Sequence, residues 1–269
     1  MPQTQAKLEK PLLARYDADG IAILTLDRPA QRNALSTAML AALQNELASI
    51  GPDNSLRAVI IAANGTVFSA GHDLKELTAA RAAPDKGRAF FEETMAQCSR
   101  VMQTIVQLPQ PVIAAIEGVA TAAGCQLVAT CDLAVAGEDA QFCTPGVDIG
   151  LFCSTPMVAL SRNLSSKHAL EMLLLGEMIE AHEAHRLGLV NRVVARGSVL
   201  MEAERLARKI AEKSTYTVKI GKRAFYEQRE MGLAAAYAHM GAVMVENLLA
   251  RDGEEGIAAF LGKRKPQWS

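Results

Sequence analysis

The 269-residue chain lacks an excess of either charge: 28 Lys and Arg stand against 29 Asp and Glu, a formal net of −1. No field of one sign therefore draws in nucleic acid or an anionic membrane, and an anionic ligand has to be gripped locally. Long apolar runs are missing too. "AVIIAA" and "PVIAAI" fall far short of a membrane-spanning helix, and "MPQTQAKLEK" has neither the basic start nor the apolar block of a signal peptide. The five cysteines (98, 125, 131, 143, 153) form no C-x-x-C, and their odd number argues against a disulfide framework. They read as small core residues in a reducing compartment. A cytoplasmic protein with no nucleic-acid or membrane partner is expected from these absences.

Several catalytic signatures are also absent. "HEAH" (182–185) sets two histidines at i and i+3, whereas a zinc-binding H-E-x-x-H needs i and i+4 on one helical face. These read as helix-surface histidines, and no metal is expected. "NGTVFSAGHD" bears glycines but has neither the Gly-Lys-Ser/Thr of a phosphate cradle nor the G-x-G-x-x-G of a dinucleotide site. There is no G-x-S-x-G elbow for a serine hydrolase.

What is present is a chain half hydrophobic and 21% charged, enough to bury a substantial core. "IAILTLD" (21–27), "RAVIIAA" (57–63), "PVIAAIEG" (111–118), "DLAVAG" (132–137) and "LVNRVV" (189–194) read as strands. Between them lie a helix capped by Ser36, a long amphipathic helix over 86–107 ended by Pro109 and Pro111, and a helix from about Ala122. Alternation of this kind predicts parallel strands joined by crossover helices, an α/β fold. Residues 199–262 show only helical spacing. We therefore expect a core over 1–195 and a helical region over 196–269 whose "AAAYAHMGAVMVENLLA" seeks a partner surface.

Two small-residue turns stand out, "FSAGHDL" (68–74) and "TAAGCQL" (121–127), each following an apolar strand and leading toward a helix. Such turns let bare backbone N–H groups approach a ligand, and a helix N-terminus adds positive potential. Two converging N–H donors would form an oxyanion hole; the alternative is a pair of tight strand-to-helix connections.

Six ordered blocks carry a resemblance over nearly the whole chain: "LDRPAQRNALS" (26–36), "FSAGHDLKEL" (68–77), "PVIAAIEGVATAAGCQL" (111–127), "FCTPGVDIGLF" (142–152), "HEAHRLGLVNRVV" (182–194) and "EGIAAFLGKRKPQW" (255–268). The sequence resembles the enoyl-CoA hydratase/isomerase superfamily, the crotonases. The resemblance implies a spiral of β-β-α turns with a C-terminal α-helical region, assembled as a homotrimer or a homohexamer of paired trimers. It also implies an acyl-CoA thioester as substrate, a lyase or isomerase reaction, and no cofactor, coenzyme A being part of the substrate. Carried over position by position, the oxyanion donors are the backbone N–H groups of His72, after Ala70-Gly71, and Ala123, beside Gly124. Ala70 to Leu74 should border the adenine pocket and Arg32 and Ala34 the CoA chain. Arg32, Lys75 and Lys263 are candidates for the CoA phosphates, and Asp73 for securing its loop or capping the next helix.

The sequence departs from that family at the reacting centre. Members that hydrate a double bond carry glutamates where Gln126 and Gly146 stand here, and neither residue can shuttle a proton near neutral pH. Losing a positioned acid–base group costs about 10²–10⁴ in rate, so ordinary hydration is expected to be weak. Three substitutes are conceivable. Asp148 could turn a carboxylate inward. A naphthoate-forming branch of the family with glycine at the Gly146 position uses bound bicarbonate, held in part from the position of Thr144. Finally, Gln126 could orient a substrate group or a water while the oxyanion hole drives thioester hydrolysis, decarboxylation or retro-Claisen cleavage. A non-catalytic acyl-CoA binder is the rival reading.

Overall fold

The computed structural model describes residues 11–269, so the opening decapeptide read above for a signal peptide lies outside it. β1 (Leu13–Ala18) and β2 (Ile21–Leu26) pair as an antiparallel hairpin. Its two-residue turn, Asp19-Gly20, has φ of 52° and 74°, the left-handed geometry that matches strand twist. α1 (Thr37–Ile50) begins where the Ser36 hydroxyl accepts from the Met39 N–H at 3.2 Å, and it buries Leu40, Leu43 and Leu47 on one face.

Three β-β-α units follow. The first is β3 (Ala58–Ala63), β4 (Val67–Ser69), α2 (Leu74–Ala80) and α3 (Arg88–Gln107). The second is β5 (Val112–Ile116), β6 (Val119–Thr121) and α4 (Ala123–Thr130). The third is β7 (Leu133–Gly137), β8 (Gln141–Cys143), α5 (Ser154–Asn163) and α6 (Ser166–Leu175). Then come β9 (Ile179–Glu180), α7 (Ala181–Leu187), β10 (Arg192–Val194) and four helices: α8 (Val199–Ala211), α9 (Thr215–Gln228), α10 (Leu233–Leu249) and α11 (Arg251–Leu261).

Each unit gives its first strand to one sheet and its second to another. The large sheet runs β1-β2-β3-β5-β7-β10 and the small one β4-β6-β8-β9. β2 to β10 are parallel in the large sheet, as are β4, β6 and β8 in the small one. Stacked units of this kind make the spiral expected from the sequence.

The parallel strands are apolar on both faces because both faces are covered. Along β3 and β5, Val59, Ile61, Val112 and Ala114 point into the core filled by α1 and α3. Their alternates, Ala58, Ile60, Ile113 and Ala115, meet Val199, Ala203 and Ala207 of α8 on the other side. α9 is tied down by a buried ion pair. The Lys222 Nζ donates to the Asp132 carboxylate at 2.6 Å and to the Ile105 and Gln110 carbonyls, and the Tyr226 hydroxyl donates to the other Asp132 oxygen at 2.9 Å. Burial pushes the Lys222 pKa down against the pull of Asp132. α10 and α11 are different: Leu233, Tyr237, Phe260 and Leu261 are each at least 75% exposed. Among the described residues no single helix is long and apolar enough to cross a membrane.

Candidate active site

The two turns singled out in the sequence are pressed against each other, and glycine is what permits it. Gly71 has φ +84°, and a Cβ there would lie 2.9 Å from the Ala122 Cβ and 3.1 Å from the Ala123 nitrogen. A Cβ on Gly124 would lie 2.8 Å from the Ser69 carbonyl carbon and closer still to its oxygen. Both gaps are too small for any side chain. The backbone of Ala70–His72 therefore runs directly over the first turn of α4.

Ala122 completes the geometry at some cost. It holds φ 50°, ψ −120°, a conformation natural to glycine, fixed by its N–H donating to the Cys143 carbonyl at 3.0 Å. Such a residue stores about 1–3 kcal/mol of strain. The bend starts α4 abruptly, with no side chain capping it, so the Ala123 N–H is one of the unsatisfied donors of a helix N-terminus. Among the described residues neither the Ala123 nor the His72 N–H donates to a protein acceptor.

The loop before α1 braces this arrangement. The Leu35 N–H donates to the Gly71 carbonyl at 2.7 Å, and the Ala70 N–H to the Arg32 carbonyl at 3.0 Å. Asn33, fully buried at φ 49°, donates to the Asn64 and Val67 carbonyls and accepts from the Arg28 N–H. Nothing in the sequence reading marked Asn33, although "RNALS" lies inside the first block of resemblance. Asp73 caps α2, accepting from the Lys75 N–H at 2.9 Å, and the Glu76 carboxylate reaches back to the Thr37 N–H.

A cavity of about 480 Å³ opens onto the two free N–H groups. Ala70, His72, Leu74, Ala123 and Gly146 line it, with Phe91 and Met95 of α3 and Cys153 completing the wall. The His72 imidazole is buried, and that burial, outweighing the pull of the Leu35 backbone and of Glu76, pushes its pKa below the ordinary value of 6.5. It is neutral near pH 7. The space beside Gly146 is already taken: a Cβ there would lie 2.8 Å from the Leu151 carbonyl oxygen and 2.9 Å from the Cys153 Sγ. Burial raises the Cys153 pKa, and raises that of nearby Cys143 to about 11, so both stay thiols. All five cysteines are buried and free.

Several expected site residues stand elsewhere. Asp148 is exposed on the short helical turn after β8, close enough to Cys143 to raise its pKa, and lines neither of the two cavities. Thr144 is fully buried and its hydroxyl donates to the Met172 carbonyl at 2.9 Å. It is unavailable to an anion, and with Cys153 filling the space next to Gly146 the residues present do not fit a bound bicarbonate. Arg32 and Lys75 are exposed near the braced loop, Ala34 is half-buried within it, and Lys263 lies just beyond α11, away from both cavities described here. His182 and His185 are exposed on α7.

Gln126 is 5% exposed, and its Oε1 is buried without a partner. Its side chain faces a second cavity, of about 460 Å³, between α3, α4, α5 and α9. The two cavities meet at Thr155, which lines both. Gln126 stands on the first turn of α4, three residues after Ala123, and lines the second cavity.

A double sheet wound by β-β-α units, with a cavity lined by both small-residue turns, defines a crotonase-fold protein. The model of the enoyl-CoA hydratase/isomerase family matches residues 17–269, and the chain belongs to that family. It is 50% identical over 260 residues to human enoyl-CoA hydratase domain-containing protein 3, mitochondrial, covering 97% of this chain and 84% of the relative. It is 35% identical over 249 residues to 2,3-dehydroadipyl-CoA hydratase of Escherichia coli, covering 92% and 94% respectively. The crystal structure of an enoyl-CoA hydratase from Mycobacterium smegmatis superimposes with a TM-score of 0.92 at 50% identity, over 96% of this chain and 99% of that one. The expectation of a cytoplasmic protein does not stand: the human, rat and mouse relatives are named as mitochondrial. Balanced charge and an odd number of cysteines do not say in which compartment a chain resides.

Proposed function

We propose that this protein binds an acyl-CoA thioester and polarises its carbonyl between the His72 and Ala123 N–H groups. The observation that supports this most is the pair of unpartnered donors held together by the contacts at Gly71 and Gly124. Two such donors in a site that excludes water stabilise the enolate or tetrahedral oxyanion that develops on the thioester oxygen, at about 3 kcal/mol each. The His72 imidazole need not participate, because the donor is its backbone N–H.

The chemistry beyond polarisation follows from what lines the cavities. Gln126 and Gly146 stand where hydratases of the family carry glutamates. Neither ionises, and Asp148 lines neither cavity. Hydration of a simple enoyl-CoA is therefore slow, and the site suits decarboxylation, in which loss of CO2 forms the enolate without a base. The unpartnered Gln126 Oε1 also suits a second reading, a binder that orients an acyl-CoA without turning it over. A turnover screen across enoyl-, β-keto-, malonyl-type and aromatic acyl-CoAs separates the two. Micromolar binding with no turnover anywhere would establish the binder, and no binding would refute both. The exposed apolar faces of α10 and α11 suit a trimer or a pair of trimers, which sedimentation would test.

A further inference from the structure

We propose that the second cavity receives the distal end of the acyl chain and that Arg229 selects chains ending in a carboxylate, making the preferred ligand an ω-carboxyacyl-CoA. This rests on the acyl-CoA reading above. Thr155 lines both this cavity and the thioester cavity, and Gln126 lines this one. Its middle is apolar, walled by Met102 and Val106 of α3, Ala129 of α4 and Val158 of α5. Its far end is not: Arg162, Arg229, Glu230 and Tyr226 gather there. Thr155 and Arg162 are both on α5, seven residues apart, which places the charged end roughly 10 Å from the junction.

The charges at that end do not cancel. Arg162 pairs with Glu230 at 3.3 Å. Arg229 donates to the Arg162 carbonyl and lies over the Phe225 ring, 5.6 Å from its centroid. No carboxylate among the described residues is within ion-pair distance of it. Two guanidinium groups therefore face one carboxylate, and one positive charge is left over. Arg162 and Glu230 are exposed and Arg229 is half-buried, so a methyl group ending here would displace part of the Arg229 water without replacing its hydrogen bonds. A terminal carboxylate would take the remaining donors of Arg229 in a charge-assisted, fork-shaped contact. Gln103 and Gln107 on α3 add neutral hydrogen-bonding groups to the same cavity.

The test compares chains matched in length. Affinities of adipyl-CoA and hexanoyl-CoA, and of suberyl-CoA and octanoyl-CoA, are measured by isothermal titration for the wild type, Arg229→Gln and Arg229→Lys. In the wild type at least one dicarboxylic thioester should bind about tenfold tighter than its monocarboxylic partner, the effect of one partly solvated charged hydrogen bond. That ratio should fall to near unity in Arg229→Gln and survive in part in Arg229→Lys. Arg223→Gln, which removes an exposed cation of α9 outside the cavity, should leave the ratio unchanged. Equal affinities within both pairs for the wild type, or a preference that survives Arg229→Gln, would overturn the proposal while leaving the acyl-CoA reading intact. Failure of all four thioesters to bind the wild type would overturn both.

Discussion

Replacing Gly124 by alanine tests whether the contact between the two turns is what builds the oxyanion hole. The added methyl would sit 2.8 Å from both the carbonyl carbon and the Cβ of Ser69, and nearer still to the carbonyl oxygen. The obstructing atoms are mainly backbone, so no side-chain rotation relieves the clash. Ser69–His72 and the start of α4 must separate, by an amount on the order of 1 Å if ordinary van der Waals distances are restored. A misplacement of that size can cost roughly 10²-fold in a positioned reaction, and loss of one oxyanion donor about 10²–10³. Overpacking should also cost about 1–3 kcal/mol of stability. The assay is the absorption shift of a bound cinnamoyl-CoA thioester, which reports carbonyl polarisation without requiring turnover, measured alongside urea unfolding. Gly241→Ala is the control, since a Cβ there meets nothing within 4 Å and should instead stabilise α10 by about 1 kcal/mol. A folded Gly124→Ala protein whose bound thioester is shifted as far as in the wild type would refute the reasoning.

Four further outcomes follow from the same geometry. His72→Ala should leave acyl-CoA affinity nearly unchanged in a binding titration, because the donor is the backbone; a large loss would make the imidazole functional. Burial holds the His72 pKa below 6.5, so the unfolded chain takes up the proton first. As pH falls below that value the wild type should lose stability relative to His72→Ala, and above it the difference should level off; parallel urea curves across pH check the sign. Gln126→Glu with Gly146→Glu should raise crotonyl-CoA hydration above the parent only where Cys153→Ala removes the Sγ and the Leu151 carbonyl also gives way, because a Cβ at Gly146 lies 2.9 Å from the one and 2.8 Å from the other. A folded triple variant with no gain would assign the limit to cavity shape. Lys222→Met strands the Asp132 carboxylate under α9 and should cost about 3–5 kcal/mol in urea unfolding, with most of it regained in Lys222→Met/Asp132→Asn.

The large sheet was readable because β2, β3, β5 and β7 are short apolar runs bounded by turns, and the helical tail because its apolar residues recur at helical spacing. β1 was missed, although Asp19-Gly20 is a strong hairpin signal, because "LARYDA" is partly exposed and has little apolar alternation. Most of the small sheet escaped for a different reason: three-residue strands such as β4, β6 and β8 are too short to show a period. The close approach of the two turns was legible in their small residues, since it demands Gly71 and Gly124. Side-chain direction was not. Asp148 and Thr144 are two residues either side of Gly146, yet one faces solvent and the other bonds to α6, and only the path of the turn decides that. Cys153 came from across the cavity with no sequence periodicity to link it to Gly146. Arg229 and Tyr226 likewise reach the second cavity from a helix distant in sequence.

A crystal structure with a non-reacting acyl-CoA thioester analogue bound tests the central claim most directly. The account predicts the thioester oxygen about 2.7–3.1 Å from both the His72 and Ala123 nitrogens, with no carboxylate beside the α and β carbons. A thioester bound with its oxygen away from these two N–H groups, or a carboxylate of this chain in contact with those carbons, would contradict it.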